Sequence, residues 1–256
     1  MPGGWKYASA SVIGTSHSKS TESVCQDANQ CVYLHDSGVL ICVVSDGAGS
    51  AARSDEGSRL ACEVVVREAS CASEEEVCKR SFALSTLSII REELLAKSQE
   101  DGARFKDYAC TLLVAILNGD SVAFWQIGDG AICFRLSGED LFHYAFWPAK
   151  GEYANVTEFV TDDNTSDELQ FDDGSHSIVD LALFTDGLER LALDFALGEV
   201  HTGFLAPLFP YLRRGQPGHL EEISSQMREF LGSARVNTHT DDDKTLILAT
   251  LEADGD

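Results

Sequence analysis

Three apolar runs in this sequence each end at an aspartate beside a glycine. They close with Val44-Ser45-Asp46-Gly47, Ile127-Gly128-Asp129-Gly130 and Phe184-Thr185-Asp186-Gly187. Runs of this length, bounded by turn residues and rich in branched and aromatic side chains, are typical of buried strands. The chain is therefore predicted to fold around sheets that carry aspartates at the ends of their strands.

A fourth acidic segment, Asp241-Asp242-Asp243, directly precedes the last apolar run at 244–251. A single Asp-Gly pair is usually only a turn, but carboxylates gathered at one rim repel one another and need a counter-charge. Glycine beside them lets backbone and ligand approach closely. An oxygen-rich, negative site of this kind suits hard cations such as Mg²⁺ or Mn²⁺.

The order of the predicted elements does not match the strand–helix alternation of a doubly wound sheet. Strands are predicted at 5–14, 30–35, 38–45, 109–117, 121–127, 131–136, 140–146, 178–185 and 244–251. Helices are predicted from Ser54, at 74–97, and at 188–196, 200–213 and 218–231. This order favours antiparallel sheets with helices packed outside them.

Residues 149–177 differ from the rest in composition, with eight acidic residues, one lysine and few large apolar side chains. We predict a flap-like surface excursion here. The length of 256 residues is within the range of one large sandwich or barrel, so the chain at 1–256 is predicted to be a single domain.

The charge balance excludes several classes of partner. With 42 acidic against 19 basic residues the net charge is −23, which repels nucleic-acid phosphates and anionic membrane surfaces. The N-terminus has no apolar signal core, and no apolar run of about 18 residues occurs. None of the eight cysteines forms a C-x-x-C pair, which favours free thiols and a reducing, cytoplasmic location.

Taken together, the motifs resemble the type-2C, metal-dependent protein serine/threonine phosphatases, the PPM family, and especially its compact bacterial branch. The matching segments stand in the family's order over residues 14–246. They are Gly14, His17, Cys25-Gln26-Asp27-Ala28, Val44-Ser45-Asp46-Gly47-Ala48-Gly49, Gly128-Asp129-Gly130, Phe184-Thr185-Asp186-Gly187-Leu188 and Asp242-Asp243-Lys244-Thr245-Leu246.

The resemblance implies an α+β fold, a four-layer α/β/β/α sandwich of two antiparallel sheets flanked by helices. It implies two Mn²⁺ or Mg²⁺ ions at one end of the sandwich, with Asp46 bridging both. Asp186 and Asp242 would complete the shell of one ion and the Gly47 carbonyl would bind the other. Asp27 would act through water, and a third, weaker ion would sit at Asp129.

The implied activity is hydrolysis of phosphoserine or phosphothreonine on proteins, with phosphotyrosine also open, by a water that the ions activate. The implied partners are phosphorylated proteins, opposite a serine/threonine kinase, with no nucleic acid and no membrane. The chain would act as a monomer.

Several positions depart from the family pattern. Ala48 stands where many members have histidine, Glu22 where many have a phosphate-binding arginine, and Arg190 where a second aspartate is common. His17, Lys19 and Arg53 are candidates to hold the substrate phosphate instead. These departures keep open a catalytically inactive relative that acts as a metal-binding or regulatory interaction module. An enzyme with an aspartate nucleophile is disfavoured, because it needs a second aspartate at position 48.

Overall fold

The computed structural model of the protein describes residues 4–16, 24–148 and 157–251. Its strands are β1 (Trp5–Val12), β2 (Ala28–Leu34), β3 (Val39–Ser45), β4 (Leu112–Asn118), β5 (Ser121–Ile127), β6 (Ala131–Leu136), β7 (His143–Tyr144), β8 (Gln170–Ser175), β9 (Ile178–Phe184), β10 (Leu193–Asp194), β11 (Glu199–Val200), β12 (Gly218–His219) and β13 (Lys244–Leu251).

The longer helices are α1 (Ser54–Cys71), α2 (Arg80–Glu100) and α7 (Glu221–Leu231). Shorter ones are α3 (Thr165–Glu168), α4 (Glu189–Ala192), α5 (Thr202–Leu205), α6 (Phe209–Arg213) and α8 (Ala234–Asn237). Within the described ranges, no helix is long and apolar enough to span a bilayer.

Two large sheets carry the fold. One has six strands in the order β12-β1-β13-β9-β6-β7, and the other has five in the order β2-β3-β4-β5-β8. Pairing is antiparallel throughout both sheets except for the two-residue contact between β1 and β12. The short strands β10 and β11 form a separate hairpin.

The alternation of side chains along β3 shows why its apolar run is continuous. Leu40 and Val44 point into a core that β3 shares with strands of the six-stranded sheet. Ile41 and Val43 point the other way, into a core that α1 and α2 cover. A third core lies between the six-stranded sheet and the helices α4 to α8. Buried on both faces, β3 needs apolar residues at every position. The predicted four-layer sandwich is confirmed.

The helices differ from the prediction at several ends. The helix predicted from 74 begins at Arg80, because Lys79 has an extended backbone (φ −96°, ψ 148°) that separates the helix from the turn before it. The helix predicted over 200–213 is broken into α5, a 3₁₀ turn and α6 at Pro207 and Pro210, which cannot donate backbone hydrogen bonds.

The acidic segment predicted as an excursion is partly built into the sandwich. Residues 149–156 lie outside the described residues. Further on, Val160 is fully buried in the core that α1 and α2 cover, and its carbonyl accepts a hydrogen bond from Arg91. Gln170–Ser175 then pairs with β5 as the edge strand β8. This strand is mostly exposed, so its sequence carries no apolar alternation that would have predicted it.

Candidate metal centre

The register between β2 and β3 brings the first two predicted site residues together. Ala28 pairs with Ser45, so Asp27 and Asp46 leave the five-stranded sheet side by side. Asp27 is 7% exposed, whereas Asp46 beside it is partly exposed to solvent. The pair lies at the end of the sheet where β3 finishes.

The register around β9 brings the other predicted aspartates to the same end of the sandwich. Phe184, the last residue of β9, pairs with Ala131 of β6 and with Leu246 of β13. The turn that contains Asp129 and the segment that contains Asp242 therefore flank the start of the Asp186 turn. All five predicted aspartates converge at one end of the two sheets.

Hydrogen bonds through Thr185 join the two sheets at this end. The Thr185 hydroxyl donates to Asp27 Oδ2 at 2.8 Å, and the backbone amide of Thr245 donates to Thr185 Oγ1 at 3.1 Å. At the end of the five-stranded sheet, the amide of Asp46 donates to Thr111 Oγ1 at 2.9 Å. The aspartates are thus fixed to the ends of strands from both sheets.

Asp243 is the principal residue that sequence reasoning missed. Its carboxylate accepts the backbone amides of Gly14 and Gln26, each at 2.6 Å, and the residue is 2% exposed. It therefore holds the segments before β2 and after β1 against the segment that carries Asp242. Its place beside Asp242 in a run of three aspartates was the available signal, but that run does not reveal which way each side chain points.

Two of the motif glycines are required by close backbone contacts. A Cβ at Gly47 would lie 2.6 Å from the Gln26 carbonyl oxygen, and one at Gly187 would lie 2.0 Å from the Asp243 carbonyl oxygen. Both distances are shorter than side chains allow, so only glycine lets these segments pack this closely. The glycines are therefore part of how the aspartates are brought together.

The aspartates raise one another's pKa. Burial, followed by the charges of Asp27 and Asp186, raises the pKa of Asp46 well above its usual range. Burial raises the pKa of Asp27 to about 7. Burial, with the nearby charges of Asp129 and Asp242, raises the pKa of Asp186 to about 6. Asp46 stands between two carboxyl groups. A nearby cation, Lys244, donates its Nζ hydrogen to the Asp242 backbone carbonyl at 3.0 Å.

Two buried carboxylate oxygens at this centre have no hydrogen-bond partner, Asp27 Oδ1 and Asp186 Oδ1. Buried polar atoms are nearly always satisfied, so these two indicate a ligand that accepts their lone pairs. A set of carboxylate oxygens fits a divalent Mg²⁺ or Mn²⁺ ion. In the described part of the chain, no group of three or more acidic, histidine or cysteine side chains is arranged to hold an ion.

Asp129 lies at the margin of the cluster. Its Oδ2 accepts the hydroxyl of Thr157 at 2.9 Å. The adjoining Gly130 has φ 92°, and its amide donates to Glu189 Oε1 at 2.9 Å. The turn with Asp129 is thereby tied to α4, which follows Asp186.

Of the residues predicted to hold phosphate, Arg53 lies in the described part of the chain, where it is paired with carboxylates. The Arg53 guanidinium pairs with Glu56 at 2.8 Å and with Asp101 at 3.2 Å, between α1 and the end of α2. Phosphate binding by Arg53 would require it to leave these partners. His17 and Lys19 lie outside the described residues.

Comparisons with known proteins match most of the chain. The family model described as protein phosphatase 2C matches residues 13–232. Serine/threonine-protein phosphatase 3 of Escherichia coli (strain K12) is 36% identical over 254 residues, covering 96% of this chain and 98% of the relative. The residues matched by the family model span four of the five aspartates, Asp27 to Asp186.

Solved structures share the fold at low sequence identity. The serine/threonine phosphatase Stp1 of Staphylococcus aureus has a TM-score of 0.66 at 16% identity, covering 99% of this chain and 98% of that one. PppA of Pseudomonas aeruginosa has a TM-score of 0.66 at 19% identity, with 98% and 99% covered. The catalytic domain of PstP, in complex with two manganese ions, has a TM-score of 0.63 at 13% identity, with 97% and 99% covered. The chain therefore belongs to the protein phosphatase 2C family of metal-dependent protein serine/threonine phosphatases.

Proposed function

We propose that the chain removes phosphate from serine and threonine residues of proteins, using two divalent ions held by its clustered aspartates. The observation that carries this proposal is the placement of Asp46 between Asp27 and Asp186, with a buried and unpartnered oxygen on each of those two neighbours. Burying carboxylate oxygens without a partner costs free energy, and cations bound between them would offset that cost.

Each residue has a distinct role in this proposal. Asp46, Asp186, Asp242 and the Gly47 carbonyl oxygen would hold the ions, with Asp46 shared between them. Asp27, held by the Thr185 hydroxyl, accepts a hydrogen bond from water at the site. When bound, the ions lower the pKa of water and stabilise charge on the phosphoryl oxygens. Asp129 would hold a third, weaker ion.

We also propose the substrates, the oligomeric state and the location of the protein. The substrates would be phosphorylated proteins, opposite a serine/threonine kinase, and the chain would act as a single-domain monomer in the cytoplasm. The free thiols of all eight cysteines support a reducing compartment. No feature of the described residues favours the inactive relative.

The test is hydrolysis of p-nitrophenyl phosphate and of a phosphothreonine peptide with Mn²⁺, with Mg²⁺ and with EDTA. We expect Asp46→Asn and Asp186→Asn each to lower kcat at least about 100-fold, because a direct ligand matters at least as much as the residues that orient one. Asp36→Asn is a matched control, because Asp36 is exposed between β2 and β3. Folded wild-type protein without turnover under any metal would contradict the proposal.

A further inference from the structure

A cluster of apolar side chains lies on the surface where β7 and the β10–β11 hairpin meet. The Tyr144 and Trp147 ring centroids are 4.8 Å apart, and those of Trp147 and Phe195 are 5.6 Å apart. Leu197, in the same turn as Phe195, is 70% exposed. Isolated exposed apolar residues are common, but a contiguous group is a sign of a binding surface. We call these four residues the apolar surface.

The backbone holds the apolar surface in place. The Asp194 carboxylate accepts the amides of Ala196 and Leu197 at 3.0 and 3.1 Å, which fixes the turn that presents Leu197. On the other side, Tyr144 pairs with Cys133 of β6. A surface that is already ordered loses little conformational entropy when a partner binds.

The register of β6 and β7 places the apolar surface beside the metal centre. Tyr144 pairs with Cys133, and the Ala145 amide donates to the Ile132 carbonyl at 2.9 Å. Since the two strands are antiparallel, the chain at Trp147 returns toward the beginning of β6. Residues 129–130 form the turn that immediately precedes that strand. The hairpin that carries Phe195 and Leu197 follows α4. The first residue of α4, Glu189, accepts the Gly130 amide at 2.9 Å, so this half of the surface is also connected to the turn that contains Asp129.

Charge indicates which kind of polypeptide would bind. Exposed carboxylates accompany the apolar surface in the same two hairpins, with Asp140 before β7 and Glu199 on β11, while the neighbouring Glu139 pairs with His143 at 2.5 Å. The whole chain has a net charge of −23, which opposes the approach of a negatively charged phosphoprotein. Basic residues near the phosphorylated position would offset this repulsion.

We propose that the apolar surface docks the chain of a phosphoprotein substrate next to its phosphorylated residue, and that it prefers a segment with an apolar side chain followed by lysine or arginine. This inference rests on the proposed phosphatase function and specifies its substrate class. The apolar side chain packs on Tyr144, Trp147, Phe195 and Leu197, and the basic group lies at the acidic rim.

The experiment compares kcat/KM for two substrates, p-nitrophenyl phosphate and a phosphothreonine peptide with leucine and arginine beside the phosphothreonine. p-Nitrophenyl phosphate has no polypeptide that could occupy the apolar surface. The measured quantity is the ratio of the peptide value to the p-nitrophenyl phosphate value. Leu197→Ser is the test variant, and Leu95→Ser is the matched control because Leu95 is 45% exposed on α2, across the sandwich.

We expect the ratio to fall about tenfold in Leu197→Ser, the effect typical of losing one apolar contact, and to stay unchanged in Leu95→Ser. In wild type, replacing the leucine of the peptide by serine or its arginine by glutamate should lower the ratio as well. An unchanged ratio in Leu197→Ser, or an equal fall in Leu95→Ser, would overturn the docking surface while leaving the phosphatase function standing. Wild-type protein that hydrolyses neither substrate would overturn both.

Discussion

At the scale of the residue, Asp27 connects the metal centre to stability. Its pKa is raised to about 7 chiefly by burial, whereas the unfolded chain has its ordinary value of about 3.8. The folded protein therefore keeps a proton that the unfolded chain has lost, and this stability disappears as pH rises toward 7. In EDTA, we expect the free energy of unfolding of wild type to fall between pH 4 and 7 relative to Asp27→Asn, by up to about 1.4 kcal/mol per pH unit.

Urea denaturation from pH 4 to 8 measures this difference. The Asp36→Asn variant should follow wild type across the series, because the exposed Asp36 lies outside the cluster. Parallel curves for wild type and Asp27→Asn would show that Asp27 titrates normally in the folded protein.

At the scale of the element, Asp243 joins segments that belong to different strands. Its carboxylate accepts amides from the segments after β1 and before β2, while its own backbone leads directly into β13. We expect Asp243→Ala to destabilise the protein by about 2–4 kcal/mol, since two buried amides lose a charged acceptor. Mn²⁺ affinity, measured by calorimetry, should weaken about 10–100-fold because Asp27 and Asp242 are no longer held together.

Asp243→Asn separates positioning from simple destabilisation. The amide side chain keeps one carbonyl oxygen for one of the two amides, so its affinity for Mn²⁺ should lie between those of wild type and Asp243→Ala. If Asp243→Ala lost stability but kept wild-type Mn²⁺ affinity, the residue would be structural only.

At the scale of the whole molecule, the metal centre closes one end of the space between the two sheets. The aspartates come from both sheets, so an ion that binds them links the two layers. At a Mn²⁺ concentration 100-fold above Kd, binding would stabilise the folded state by about 2.7 kcal/mol and raise Tm by about 5–10 °C. Thermal unfolding with Mn²⁺ and with EDTA checks this, and an equal rise in Asp46→Asn would place the bound ion elsewhere.

Local patterns in the sequence determined the buried strands of this protein and the turns at their ends. The run before Asp46 has apolar residues at every position because β3 is buried on both faces, and the ends of such strands are marked by Asp-Gly turns. The family motifs then predicted the sandwich, which is confirmed, and proposed as site residues the five aspartates that converge at one end of the two sheets. These signals are readable because burial and turn formation each require particular residue types at particular positions.

Tertiary contacts decided the remaining features. The edge strand β8 forms because β5 offers it backbone partners, and its acidic, exposed side chains leave no pattern. The segment predicted as a helix at 188–196 ends at Ala192, because Leu193 pairs with Val200 to form a hairpin. The contacts of Asp243 join residues more than 200 positions apart. Such pairings depend on how the sheets align in space, and no local run of residues encodes that alignment.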